Sequence, residues 1–228
     1  MARGTVFVID DDPHMRRLAM LMLASGEFHL RPYASAEAFL RDLPEALPSD
    51  GQPCCALLDI QMPGMNGLDL QRRLQRENTP IPTVILTGHA AVSLAVRALQ
   101  DGAFHFLEKP IRNDVLQHCV ENALEHAERV RAASRVRERI NERIATLSAR
   151  EREVLDLLLE AKNIKEIAAA MGIGVQTVAK HHAKVLRKLE VRNDVDLALL
   201  IGSVRGTCSI EDLADLAKQD VDAKRLLQ

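Results

Sequence analysis

The chain has 228 residues, 47% of them hydrophobic and 27% charged, which is enough apolar material to bury one or two ordinary cores and excludes disorder along most of its length. Lys+Arg 30 against Asp+Glu 32 leaves a net charge of -2, so the chain is not a polycation that coats nucleic acid or anionic lipid by bulk charge, and any nucleic-acid surface must be local. Four cysteines, at 54, 55, 119 and 208, contain no C-x-x-C pair and read as buried thiols of a reducing, cytoplasmic protein. The N-terminal apolar run at 6–9 is far shorter than the roughly 20 residues of a membrane span and is followed by three aspartates, so no signal peptide, anchor or membrane partner is expected.

Short β-branched or apolar runs recur at 5–9, 30–33, 54–58, 83–86 and 104–107. Helix-period segments fill the gaps at 14–25, 35–43, 66–77, 91–100 and from 113 onward. Five strand-helix units predict an α/β fold, a doubly wound five-stranded parallel sheet covered on both faces. Residues 121–145 then read as one long charged helix without Gly or Pro. Its apolar positions Val130, Ala133, Ile140, Ile144 and Leu147 approach a 3,4 spacing, but Arg137 interrupts it, which favours a solvated spacer over a coiled coil.

Ser148 and Glu151 have capping-box spacing, and helical segments follow to 159 and at 164–171, 175–189 and 194–201. Gly172 and Gly174 mark a tight turn between the second and third, the arrangement of a helix-turn-helix. The expected organisation is therefore a flavodoxin-like domain at 1–122, a linker helix at 123–146, an all-α helix-turn-helix domain at 147–204 and a helical tail at 205–228. In the tail, Ser209 and Asp212 repeat the capping spacing before Ile210, Leu213, Leu216 and Ala217, an amphipathic helix expected to pack back rather than join a second chain.

The polar residues at the strand ends carry the chemistry. The first strand ends in Asp10, Asp11 and Asp12, the third in Asp59, the fourth in Thr87 and the fifth in Lys109. In a sheet of order 2-1-3-4-5 the first and third strands are neighbours, and ligands bind beyond their carboxyl ends. Converging carboxylates repel unless a divalent cation sits between them, and hard oxygen donors suit Mg²⁺. Lys109 offers a compact positive charge to a phosphoryl oxygen, Thr87 a hydroxyl donor, and the Asp59 carboxylate a nucleophile toward phosphorus.

Four motifs, V-I-D-D-D-P at 8–13, L-D-I-Q-M-P-G-M-N-G at 58–67, L-T-G-H at 86–89 and E-K-P at 108–110, resemble the receiver domain of bacterial two-component response regulators over about residues 4–122. The resemblance implies that Asp59 is phosphorylated, that Asp10 and Asp11 are the acid pair, and that Asp59 and the backbone carbonyl of Gln61 complete the Mg²⁺ ligands. It also implies a cis Lys109–Pro110 peptide, catalytic roles for Thr87 and Lys109, and a switch in which Thr87 and Phe106 move together. From the residues alone, Phe106 reads equally well as a core aromatic, and Asp12 as a cap for the following helix.

In the third helix of the C-terminal domain, Val178, Val185 and Leu189 fall on one side, and Gln176, Lys180, Lys184 and Arg187 on the other. Between 180 and 192 five basic residues are opposed only by Glu190. Gln176, Thr177, Lys180, Lys184, Arg187 and Lys188 are the expected DNA contacts. His182 reads as a packed or backbone-bonded histidine rather than a metal ligand, with His181 at the boundary of the two sides.

The stretches L-S-A-R-E-R-E-V-L at 147–155, K-E-I-A at 165–168 and T-V-A-K-H-H-A-K-V-L-R-K-L at 177–189 resemble the LuxR-type helix-turn-helix. With the receiver in front, the chain resembles a transcriptional response regulator of the NarL/FixJ family. That implies phosphorylation by a sensor histidine kinase, homodimerisation through about residues 91–122, binding to double-stranded promoter DNA, and contact with RNA polymerase. It implies a phosphoacceptor rather than an enzyme. Three departures from the family pattern stand out: Ala179 replaces a basic residue, Lys184 a common Asn, and 161–164 a glycine-containing turn.

Two rivals explain less. D-D-D after an apolar strand superficially resembles the D-x-D motif of aspartyl-phosphate phosphatases, but a nucleophile at Asp10 leaves Asp59, Thr87 and Lys109 less well explained. C-terminal helices that bind protein or RNA are opposed by the basic stripe beside the glycine turn.

Overall fold

In the computed structural model, which describes residues 3–48, 51–77, 79, 81–88 and 92–205, strands and helices alternate as the hydrophobic period requires. β1 (Gly4–Ile9), α1 (Pro13–Leu23), β2 (Phe28–Tyr33), α2 (Ala36–Ala46), β3 (Cys54–Asp59), α3 (Gly67–Arg76), β4 (Thr83–Thr87), α4 (Val92–Gln100) and β5 (His105–Glu108) lead into α5 (Asn113–Ala145). The strands are all parallel, in the order β2-β1-β3-β4-β5.

β1 and β3 are buried at every position, which is why they read as continuous apolar runs rather than alternating ones. Phe7, Ile9, Ala56, Leu58 and Ile85 face a layer built by Phe39 and Leu43 of α2, Leu70 and Leu74 of α3 and Ala98 of α4. Val6, Val8, Cys55, Leu57, Val84 and Leu86 face Ala19 and Leu23 of α1 and Leu116, Val120 and Leu124 of α5. Edge strand β2 tolerates Pro32, because a strand paired on one side only can spare an N–H. Cys54, Cys55 and Cys119 are free and buried, and burial raises all three thiol pKa values, those of Cys54 and Cys119 to about 11.

The chain divides into two compact units between Arg131 and Ala132. The linker expected as a separate element is the continuation of α5, a single helix of 33 residues. In the second unit α6 (Ala149–Leu159), α7 (Ile164–Met171), α8 (Val175–Leu189) and α9 (Asp194–Arg205) pack in two clusters. Ile140 and Leu147 are buried with Leu155, Val185, Leu189, Leu197 and Ile201, and Val136 and Ile144 pack against them. The spaced apolar residues at 140, 144 and 147 are thus accounted for without a second chain. Val154, Ile167, Ala168 and Val178 form the other cluster, between α6, α7 and α8.

Caps define these helices. Ser148 and Glu151 make the expected capping box, and Asn163 and Glu166 make a second that opens α7. Gly172 ends α7 at φ 65, in the left-handed region that glycine enters at no steric cost. Ala161, in the turn before α7, takes φ 59 with a side chain that disfavours it. The expected tail helix lies in 206–228, outside the described residues, as does Cys208. Among the described residues no helix is long and apolar enough to cross a membrane.

Candidate functional site

Parallel pairing sets Ile9 opposite Leu58, so the residues that follow, Asp10 and Asp59, emerge side by side at the carboxyl edge of the sheet. Both are nearly buried, at 5% and 8% exposure. Lys109, one residue beyond β5, reaches across: its Nζ donates to Asp10 Oδ2 at 2.8 Å and to Asp59 Oδ1 at 2.6 Å. The remaining carboxylate oxygens accept backbone N–H groups, Asp10 Oδ1 from Asp12 at 2.9 Å and Asp59 Oδ2 from Gln61 at 2.7 Å. Lys109 is itself held by its N–H, which donates to the Thr87 carbonyl at 2.7 Å, and the Lys109–Pro110 peptide is cis.

Burial raises the Asp10 pKa despite Lys109, and the Asp59 charge adds to the rise. Burial also opposes the Lys109 ammonium, but its bonds to Asp10 and Asp59 outweigh that and leave its pKa raised. Asp10, Asp11, Asp59, Gln61 and Lys109 line one cleft of about 580 Å³, together with Gly88 and the apolar side chains of Met15, Leu18 and Ile111. Asp11 is exposed at this cleft. Asp12 is the N-cap of α1 and accepts from His14 N at 2.8 Å, so it serves the helix.

The donor set is hard oxygen only, with three carboxylates against one ammonium, a balance that suits a dication. Asp10 and Asp59 already meet at Lys109, whereas among the described residues no three metal-ligating side chains are gathered on one point. Gly67 shapes the floor: a Cβ there would lie 2.2 Å from the Asp59 carbonyl, so only glycine lets α3 approach the end of β3 so closely. Thr87 is 2% exposed at the end of β4. Phe106 on β5 is half-buried against the cluster shared by α2, α3 and α4.

In the second unit, Val178, Val185 and Leu189 are buried, whereas Gln176, Thr177, Lys180, Lys184 and Arg187 are exposed on α8. Lys188 departs from the expected set. Its Nζ donates to Glu151 Oε2 at 2.6 Å and to the Thr146 carbonyl at 2.9 Å, tying α8 to the start of α6. The bond from Lys188, with the Ser148 N–H, holds the Glu151 pKa down to about 2. One residue step past Arg187 turns the side chain by 100° toward the packed side, where the Glu151 carboxylate requires a cation. His182 Nε2 lies 2.6 Å from Asp194 Oδ1, so its partner is a carboxylate at the start of α9 rather than backbone.

Two features escaped the sequence reading. Arg16 folds back from α1 and donates through Nη1 to the Asp10 carbonyl at 2.6 Å and the Asp11 carbonyl at 3.1 Å. Nothing in the spacing distinguishes it from its neighbour Arg17. The Asn163 capping box did carry a signal, Asn followed three residues later by Glu.

The response regulator receiver domain family matches residues 6–121, and the bacterial regulatory proteins, luxR family, matches residues 145–201. The transcriptional regulatory protein FixJ of Bradyrhizobium diazoefficiens is 36% identical over 87% of this chain and 94% of its own length. The chain belongs to the response regulators. FixJ of Rhizobium meliloti is 34% identical over 85% of this chain and 92% of its own. A solved structure of the response regulator StyR aligns with TM-score 0.71 at 33% identity, covering 88% of this chain and 98% of that one. This response regulator of the NarL/FixJ family therefore combines a flavodoxin-like receiver with a LuxR-type DNA-binding domain and is a transcription regulator of a two-component system. The receiver carries with it a phosphorylation site and a sensor-kinase partner, and the LuxR-type domain carries DNA binding.

Proposed function

We propose that Asp59 takes the phosphoryl group from a partner histidine kinase and that the resulting acyl phosphate controls self-association and promoter binding. The observation that carries this reading is the bridge from Lys109 to both Asp10 and Asp59. An Asp59 oxygen attacks phosphorus, an O–P bond forms, and the bond to the kinase imidazole nitrogen breaks, leaving the imidazole to be reprotonated by solvent. Lys109 Nζ, already on Asp59 Oδ1, passes to a phosphoryl oxygen, and the Thr87 hydroxyl donates to another. Asp10, Asp11, Asp59 and the Gln61 carbonyl would hold Mg²⁺, which supplies charge neutralisation for the transferred group. Positioning and charge are the main demands of this transfer, so the protein works as a phosphoacceptor that assists its own modification and not as a turnover enzyme.

Movement of Thr87 toward the phosphoryl group frees space that Phe106 enters, and the surface from α4 through β5 to the start of α5, about residues 91–122, becomes the homodimer face. Pairing sets two α8 helices on adjacent half-sites of duplex promoter DNA. There Lys180, Lys184 and Arg187 meet phosphates and base edges, with Gln176 and Thr177 beside them. A cytoplasmic setting and contact with RNA polymerase complete the reading.

The test is phosphotransfer from a cognate kinase to the wild type and to Asp59→Asn. Label on the wild type and its loss from the variant is the expected result; equal labelling of both overturns the assignment.

A further inference from the structure

The acid loop is held from outside the acids. Asp10 N–H donates to the Tyr33 carbonyl at 3.2 Å, and both of its carboxylate oxygens are engaged by Lys109 and by Asp12 N–H. The next peptide leaves the sheet, and Asp11 stands exposed at the cleft. Arg16 lies in the first turns of α1, where its own N–H donates to the Asp12 carbonyl at 3.0 Å, and its guanidinium turns back to the carbonyls of Asp10 and Asp11. One side chain thus fixes two successive peptide planes, those that set the directions of the Asp10 and Asp11 side chains.

Resting on the phosphoacceptor reading above, the geometry points to Arg16 as a positioning residue for divalent-cation binding: its guanidinium locks the carbonyls of Asp10 and Asp11 and thereby preorganises the acid pair. Both of these hydrogen bonds end on main-chain oxygens, so Arg16 acts through the backbone. Two effects of the guanidinium oppose each other. Its charge repels a dication, whereas its two hydrogen bonds hold the ligands ready and reduce the ordering the cation must impose. Both bonds leave one nitrogen, Nη1, which the longer arginine side chain carries to the two carbonyls, whereas a lysine Nζ lies one atom nearer its own backbone and falls short of the same point.

The opposing effects predict opposite signs, and the sign decides. Mg²⁺ alone is titrated calorimetrically into the full-length wild type, Arg16→Gln and Arg16→Lys, with thermal unfolding as the check of folding. If positioning dominates, Arg16→Gln weakens Mg²⁺ binding about 10- to 100-fold, the usual effect of removing an outer partner of a metal ligand. Arg16→Lys, which keeps the charge but not the bridge, weakens it as well. Phosphorylation by a small acyl phosphate then needs proportionately more Mg²⁺ for half-maximal rate, with the maximal rate at saturating Mg²⁺ retained. Unchanged or tighter Mg²⁺ binding in Arg16→Gln, or wild-type binding in Arg16→Lys, overturns the inference. Asp59→Asn, labelled in parallel, separates the two readings: label retained there defeats the phosphoacceptor assignment, while the Mg²⁺ affinities of the Arg16 variants still decide the role of Arg16.

Discussion

Ala161 and Glu151 show how single residues set the stability of the DNA-binding unit. Ala161 occupies the left-handed region at φ 59, where a Cβ crowds the backbone. Ala161→Gly is expected to raise the unfolding free energy by about 0.5–1 kcal/mol, since the strain relieved exceeds glycine's entropic cost, and urea denaturation measures it. Glu151 links α6 to α8 through Lys188, and its folded pKa of about 2 lies below the unfolded carboxylate value of about 4.3. A depressed acid pKa contributes stability that is complete above the unfolded value and fades as pH falls toward the folded one. The stability gap between wild type and Glu151→Gln should therefore be constant near neutrality and shrink from about pH 4.5 down to about 2, as read by denaturation at each pH. A gap that does not change across this window contradicts the ion pair.

At the scale of elements, α8 turns a helical period into a function. Val178, Val185 and Leu189 take the core side, leaving Lys180, Lys184 and Arg187 free, whereas Lys188 is spent on Glu151. Replacing Lys180 and Lys184 by Ala should weaken duplex binding and flatten the slope of log affinity against log salt by about 1.8, roughly 0.9 for each phosphate no longer neutralised. Lys188→Ala should instead lower the melting temperature of the unit and leave that slope unchanged; a slope change equal to that of Lys180→Ala would return Lys188 to the DNA face. The buried side of α8 was legible because three apolar residues at helical spacing point one way. The partner of Lys188 was not, because it depends on how α6 crosses α8. The same holds for the receiver: continuous apolar runs reveal buried strands, and aspartates at their ends reveal the site. By contrast, the bridge from Lys109 to both carboxylates and the return of Arg16 onto the loop carbonyls exist only once the strands are side by side. The full length of α5 was legible only in part. The charged helix read at 121–145 is the later part of one helix that runs unbroken from Asn113 to Ala145.

For the whole molecule, the receiver supplies an anionic pocket that one lysine offsets only in part, and the C-terminal unit supplies a basic helix face. Phosphorylation adds charge at the end of β3, and a two-state receiver with a gap of a few kcal/mol is enough for that change to redistribute populations. On the proposed reading, promoter occupancy would then rise because paired receivers would bring two DNA-binding units to adjacent half-sites, where the second binding event is effectively intramolecular. The most direct test measures self-association and affinity for selected duplex DNA on the same full-length sample, before and after complete phosphorylation of Asp59, at fixed salt. The account predicts a shift toward dimer together with tighter binding in the phosphorylated form and neither change in Asp59→Asn. Identical association and identical affinity in the two forms would contradict it.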